Sequence, residues 1–261
     1  MKVILLQTDI RWADPAANVA YMDKLISAHA QGTDLFVLPE MFSTGFCTSP
    51  EGIVESSDSA TLQWMKQKAA ERNCAIAGSV SVEENGKFYN RFYFVHPDGN
   101  VQWYNKKHLF TYGGEDKHYT AGQERVVVNF RGVRFLLEVC YDLRFPELAR
   151  SMCLDGAKVI FVSSMFPSGV PLPTRVDDWD ILVKSTALTN MTYVVATNQY
   201  GTCHGENSFG RSCLVDPKGL QVTLASGREC ISYGEIDLDY QETMQENLGV
   251  WRNRRPEVYH I

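Results

Sequence analysis

The chain has 261 residues, 44% of them hydrophobic and 21% charged, which is enough to bury a large core in one α/β domain or two small ones. Its net charge is −6 and it carries no run of basic residues, so nucleic acid and anionic membranes are not expected partners. The seven cysteines are odd in number and form no C-x-x-C pair, and the six histidines form no H-x-x-x-H; this excludes a zinc-ribbon or zincin pattern, and no metal is expected.

The first apolar run, "VILLQ", reads as a buried strand. It is too short for a signal peptide or a membrane span, and with unpaired thiols this gives an expectation of a cytoplasmic protein. Asp14-Pro15 then starts a helix with Val19, Met22, Ile26 and Ala30 at helical spacing. A second buried strand, "DLFVLPE", ends at Pro39-Glu40. A helix over 58–72, with Leu62, Met65 and Ala69 on one face, precedes the strand "CAIAGSV".

Hairpins follow. "KFYNRFYFVHPDGNVQWYNK" turns at Pro97-Asp98-Gly99-Asn100, and "RVVVNFRGVRFLLEVC" turns near Arg131-Gly132. A helix from Pro146, the strand "KVIFVSS", a helix over 174–190 and the strand "TYVVATN" come next. The final stretches, "GRSCLVDPKGLQVTLAS" and "ECISYGEIDL", are again hairpin-like. No low-complexity tract divides the chain, so residues 1–261 read as a single domain with a mixed sheet or two sheets.

Three chemically capable residues stand at strand ends, where ligands of α/β sheets collect. Glu40 ends the second strand, Lys106 follows "VQWYN", and Cys140 ends "VRFLLEV". Each has a commoner fate: a capping carboxylate, a solvated lysine pair with Lys107, a packed core thiol. Together they supply what one reaction needs. A cysteine attacks as thiolate, a glutamate can take its proton, and a lysine can stabilise the oxyanion of a tetrahedral intermediate. The backbone N–H of Tyr141 is a natural second oxyanion donor. Such a set cleaves a carbon–nitrogen bond through a thioester and calls for no metal or organic cofactor.

These residues resemble the nitrilase, or carbon–nitrogen hydrolase, superfamily, whose hallmark is a Glu-Lys-Cys triad. "LPEMFSTGF" resembles its glutamate motif and "VCYDLRFPE" its cysteine motif. "YNKKHLF" resembles its K-x-H-L motif, whose spacing selects Lys106 over Lys107. "GEDKHYTAG" places Glu115 where the family often has a second active-site glutamate. "FGRSCLVDPKG" and "RRPEVY" also resemble family stretches, so the likeness runs from about Val3 to Tyr259. It implies an αββα sandwich of two mixed sheets flanked by helices, and a homodimer or higher oligomer joined through a helical face.

Within the superfamily the chain looks most like the short bacterial omega-amidases, which release ammonia from 2-oxo acid amides such as 2-oxoglutaramate. Arg144 is a cationic candidate for a substrate carboxylate, or else a structural ion pair with Asp142 or Glu147. Two stretches depart from the resemblance. Ser164-Met165 replace an Asn-Trp pair beside the expected substrate site, and Thr186 and Thr189 replace an Arg and a Glu in the next helix, where Asn190 is kept. The alternatives are an amidase or carbamoylase acting on another small amide, and a non-catalytic binding protein of the same fold. A serine hydrolase is weaker, because Ser208 and Ser212 lie outside any G-x-S-x-G.

Overall fold

The computed structural model describes residues 1–29, 32–167 and 175–259; Ala30 and position 174, expected in helices, lie outside that range. Strand β1 (Lys2–Gln7) leads into helix α1 (Pro15–Ala28), where the Asp14 carboxylate accepts from the Ala17 N–H at 3.0 Å and proline fills the first turn. Strands β2 (Leu35–Val37) and β3 (Glu55–Ser56) precede helix α2 (Ala60–Arg72). That helix is capped by Ser59 and closed by Asn73 in the left-handed region at φ 49°. Strands β4 (Ala75–Glu84), β5 (Lys87–Val95) and β6 (Val101–Asn105) form an antiparallel meander.

The second half repeats the plan. Strands β7 (Val127–Phe130) and β8 (Val133–Val139) make a hairpin whose two turn residues, Arg131 and Gly132, have φ of 48° and 79°, as a primed turn requires. Helix α3 (Pro146–Leu154), strand β9 (Val159–Ser164), helix α4 (Arg175–Asn190) and strand β10 (Tyr193–Asn198) follow. A small hairpin of β11 (Tyr200–Cys203) and β12 (Glu206–Phe209) comes before β13 (Cys213–Val215), β14 (Gln221–Leu224), β15 (Cys230–Glu235) and helix α5 (Leu238–Leu248).

The strands assemble into two sheets of mixed direction. One runs β15-β1-β2-β4-β5-β6 with β3 attached to β4, and the other runs β14-β13-β10-β9-β8-β7. Strand β15 does not extend the β13–β14 hairpin; it crosses to the first sheet and lies antiparallel to β1, Lys2 opposite Glu235. Alternation along β1 explains the layers. Val3 and Leu5 face the second sheet and pack in one core with Phe135, Leu137 and Phe161. Ile4 and Leu6 face the other way, onto Met22 and Ile26 of α1, in a core shared with Leu62 and Met65 of α2. Trp179, Val183 and Ala187 of α4 are buried with Leu148 and Met152 of α3 over the outer face of the second sheet. The result is an αββα sandwich, with β2 and β8 ending near one another between the layers.

Candidate active site

Glu40 stands just beyond β2, after Leu38 and Pro39, and is fully buried. Its Oε2 accepts the Met165 backbone N–H at 2.8 Å, and its Oε1 accepts from Asn90 Nδ2 at 2.7 Å and from Lys106 Nζ at 3.1 Å. Its own N–H reaches the Ser164 carbonyl at 3.3 Å, tying the end of β2 to the end of β9 across the two sheets. Met41, next in the chain, takes φ 45°, the turn that lets the chain leave the strand with Glu40 pointing inward.

Lys106 arrives from the end of β6. Its ammonium is 1% exposed and donates to Glu40 and to Glu115, the latter at 2.9 Å to Oε2. Glu115 is held in turn by the Phe110 backbone N–H at 2.6 Å and by Asn90 at 3.2 Å. The Lys106 backbone pairs with the Asn90 carbonyl and the Gly122 N–H, each at 2.9 Å. One cation thus sits between two carboxylates in a site closed to water.

Cys140 leaves β8 at φ 46°, a conformation costly for a residue with a β-carbon and maintained by the surrounding structure. Its Sγ lies 3.7 Å from the Met165 carbonyl. Burial pushes the thiol up to about 12; Glu40 adds to the rise, while Lys106, a weak contact from the Ser164 hydroxyl and Arg175 oppose it. For Lys106, burial works against the charge, but Glu115, Glu40 and Cys140 outweigh it and hold its pKa above the ordinary lysine range. Glu40 is raised, first by burial, with Lys106 pulling down and Glu115 pushing up. The resting site therefore pairs a neutral thiol with a charged lysine and a glutamate of enhanced basicity.

The remaining letters of the cysteine and lysine motifs tie these loops together. Asp142 accepts from Val139 N and Tyr104 Oη, both at 2.9 Å, and from the backbone and ring of His108 at 2.9 and 2.8 Å. The His108 ring stacks on Phe145 at 3.8 Å. Tyr141 follows the cysteine in a short 3-10 turn, where early N–H groups lack intrahelical acceptors, and its ring meets Phe110 edge-on at 5.3 Å.

Glu40, Lys106, Cys140, Glu115, Ser164 and Met165 are brought together. Arg144 is not a free cation: it pairs at 2.6 Å with Asp178 of α4, rather than with Asp142 or Glu147. Met165 reaches Glu40 and Cys140 through its main chain, so the Ser164-Met165 departure leaves those contacts intact. Sequence reading passed over Asn90, a buried amide in the aromatic strand "FYNRFYF", and Arg175, which opens α4. A polar residue inside an otherwise apolar strand was the available signal for Asn90.

The carbon-nitrogen hydrolase family model matches residues 2–245. The chain belongs to the carbon–nitrogen hydrolase family. It is similar to the omega-amidase YafV of Escherichia coli (strain K12), at 33% identity over 97% of this chain and 96% of that relative. It is also similar to the 2-oxoglutaramate amidase of Bacillus subtilis (strain 168), at 32% identity and 97% of both chains. A solved carbon–nitrogen hydrolase superfamily protein, XC1258 from Xanthomonas campestris, described with an arsenic adduct in its active site, superposes with a TM-score of 0.90 at 30% identity, covering 98% of this chain and 97% of that one. As a carbon–nitrogen hydrolase, this protein is an enzyme acting on non-peptide C–N bonds of linear amides.

Proposed function

We propose that this hydrolase is an omega-amidase that releases ammonia from a 2-oxo acid amide such as 2-oxoglutaramate, with Glu40, Lys106 and Cys140 as its catalytic triad. The observation that carries the reading is the buried Lys106 ammonium held between Glu40 and Glu115 beside the Cys140 thiol. The names of the similar Escherichia coli and Bacillus subtilis proteins support the substrate class.

Glu40 takes the thiol proton as Sγ attacks the amide carbon, so no free thiolate is required at rest. The oxyanion that forms is stabilised by the Lys106 ammonium and the Tyr141 N–H, in a site whose low polarity strengthens both. Glu40 returns the proton to the amide nitrogen, the C–N bond breaks, and ammonia leaves a thioester on Cys140. Glu40 then draws a proton from water, hydroxide adds to the thioester, and the carboxylic acid departs as the thiol is restored. Glu115 keeps Lys106 aimed at the oxyanion through both steps.

On the outer face of α3 and α4, Leu154 and Leu188 remain 40% and 48% exposed, which suits the expected pairing of two copies. Rapid quenching during turnover, followed by mass spectrometry, tests the thioester: an acyl adduct on the Cys140 peptide is expected. Turnover with an adduct on another residue would refute the assignment.

A further inference from the structure

Arg175 is 8% exposed, yet it makes no ion pair among the described residues. Its Nε donates to the Pro167 carbonyl at 3.0 Å, and the guanidinium lies over the Phe166 ring at 4.3 Å and near Phe110 at 5.8 Å. Arg144, whose guanidinium also lies near the Phe166 ring at 5.8 Å, is already matched by Asp178 at 2.6 Å. Asp178 and Glu206 act on Arg175 only from beyond contact, and burying a guanidinium with no carboxylate in contact is costly, because the group stays protonated and loses its hydration. Such a cation is retained where an anion visits.

The position of Arg175 says which anion. With Met165, Phe110, Tyr112 and Glu206 it lines a cavity of about 280 Å³. It is close enough to Cys140 for the two to act on one another electrostatically. Stacking on Phe166 fixes the plane of the guanidinium while Nε is held by Pro167, so the outer edge keeps the fork geometry suited to a carboxylate. The cavity is small, with Phe46, Phe110 and Tyr112 on its wall beside the polar His204 and Glu206. Met165, whose carbonyl lies 3.7 Å from Cys140 Sγ, links it to the thiol, so a short chain fits with one polar end toward the thiol and one at the arginine.

We propose that Arg175 binds the free carboxylate of the substrate, at the end remote from the scissile amide, and so selects anionic amides over neutral ones. This rests on the amidase reading above and adds its specificity determinant. Arg144, the sequence candidate for that role, is occupied by Asp178.

The test is the ratio of kcat/KM for 2-oxoglutaramate to kcat/KM for a carboxylate-free amide of equal chain length. Arg175→Met should lower that ratio roughly 30- to 5000-fold, the range for removing one partner of a buried, hydrogen-bonded charge pair. Arg175→Lys keeps the charge but not the fork or the stacked plane, and should lower it about 10-fold. An equal loss on both substrates in Arg175→Met, or an unchanged ratio in Arg175→Lys, overturns the carboxylate role while leaving the amidase reading intact. Should Arg175→Met not fold, Arg175→Lys decides alone. Equal rates of the unaltered enzyme on the two amides overturn both the omega-amidase reading and the anchor.

Discussion

His108 and Asp142 are joined twice, the backbone N–H of His108 at 2.9 Å and its ring at 2.8 Å from the same carboxylate oxygen. The loop carrying Lys106 is thereby fastened to the loop carrying Cys140, and the other Asp142 oxygen fastens Tyr104 and Val139. Asp142→Ala would leave these donors without an acceptor in a buried site. We expect a loss of roughly 2–4 kcal/mol of stability, read as a lower urea midpoint at unchanged slope. An unaltered midpoint would show that the fastening contributes nothing.

Glu40 and Glu115 share one lysine, and the proposed mechanism gives them different tasks, so their neutral amide variants should differ. Glu40→Gln loses the proton acceptor, and kcat should fall about 10²- to 10⁴-fold. Glu115→Gln loses only the second hold on Lys106, and about 10²-fold or less is expected from a misaligned oxyanion donor. Equal losses would contradict this division of roles.

The acid limb of activity follows from the direction of the Glu40 shift. Burial, the largest cause, and then Glu115 raise its pKa above 4.5 against the pull of Lys106. As pH falls through that raised value Glu40 becomes protonated and can no longer accept the thiol proton. The kcat/KM profile should therefore decline at a midpoint above 4.5. A limb at or below the ordinary glutamate value would contradict Glu40 as the base.

Gly122 lies against the backbone just before Lys106. A β-carbon there would stand 2.1 Å from the Asn105 carbonyl oxygen. Since the Gly122 N–H also holds the Lys106 carbonyl, Gly122→Ala must displace the lysine strand. A fall in kcat of about 10²-fold is expected from such a shift. Wild-type kinetics in Gly122→Ala would mean that the lysine position tolerates displacement.

Glu138, two residues before Cys140, is fully buried with neither carboxylate oxygen hydrogen-bonded among the described residues. Burial, then Asp142, raises its pKa well above the ordinary value, so the fold disfavours its ionised form. A raised folded pKa contributes stability fully present below the unfolded pKa and lost as pH rises through the folded one. Glu138→Met should thus stabilise the protein by roughly 1–3 kcal/mol at pH 8, with the gain shrinking toward pH 4.5. A gain that grows on acidification would reverse the sign.

Much of the architecture was legible because its signals are local. Asn105-Lys106 and Val139-Cys140 are strand ends, and Pro39-Glu40 lies just past one, all visible as runs that stop at a polar residue, while Asp14 and Pro146 mark helix starts. What escaped depends on distant partners. Strand β15 pairs with β1 across more than two hundred residues, and nothing near Cys230 announces that partner. Helix α5 and the β11–β12 hairpin also went unread, their polar residues giving weak periodicity. Arg144 and Arg175 look alike in sequence; only the tertiary position of Asp178 neutralises one and leaves the other facing the cavity.

In the proposed mechanism Cys140 is the nucleophile of an amidase. The most direct test of this is ammonia release from 2-oxoglutaramate by purified wild-type protein and by Cys140→Ala. Wild-type turnover with release by the variant reduced to the uncatalysed background is expected, because a covalent nucleophile has no substitute in the site. Turnover by Cys140→Ala at the wild-type rate would contradict it.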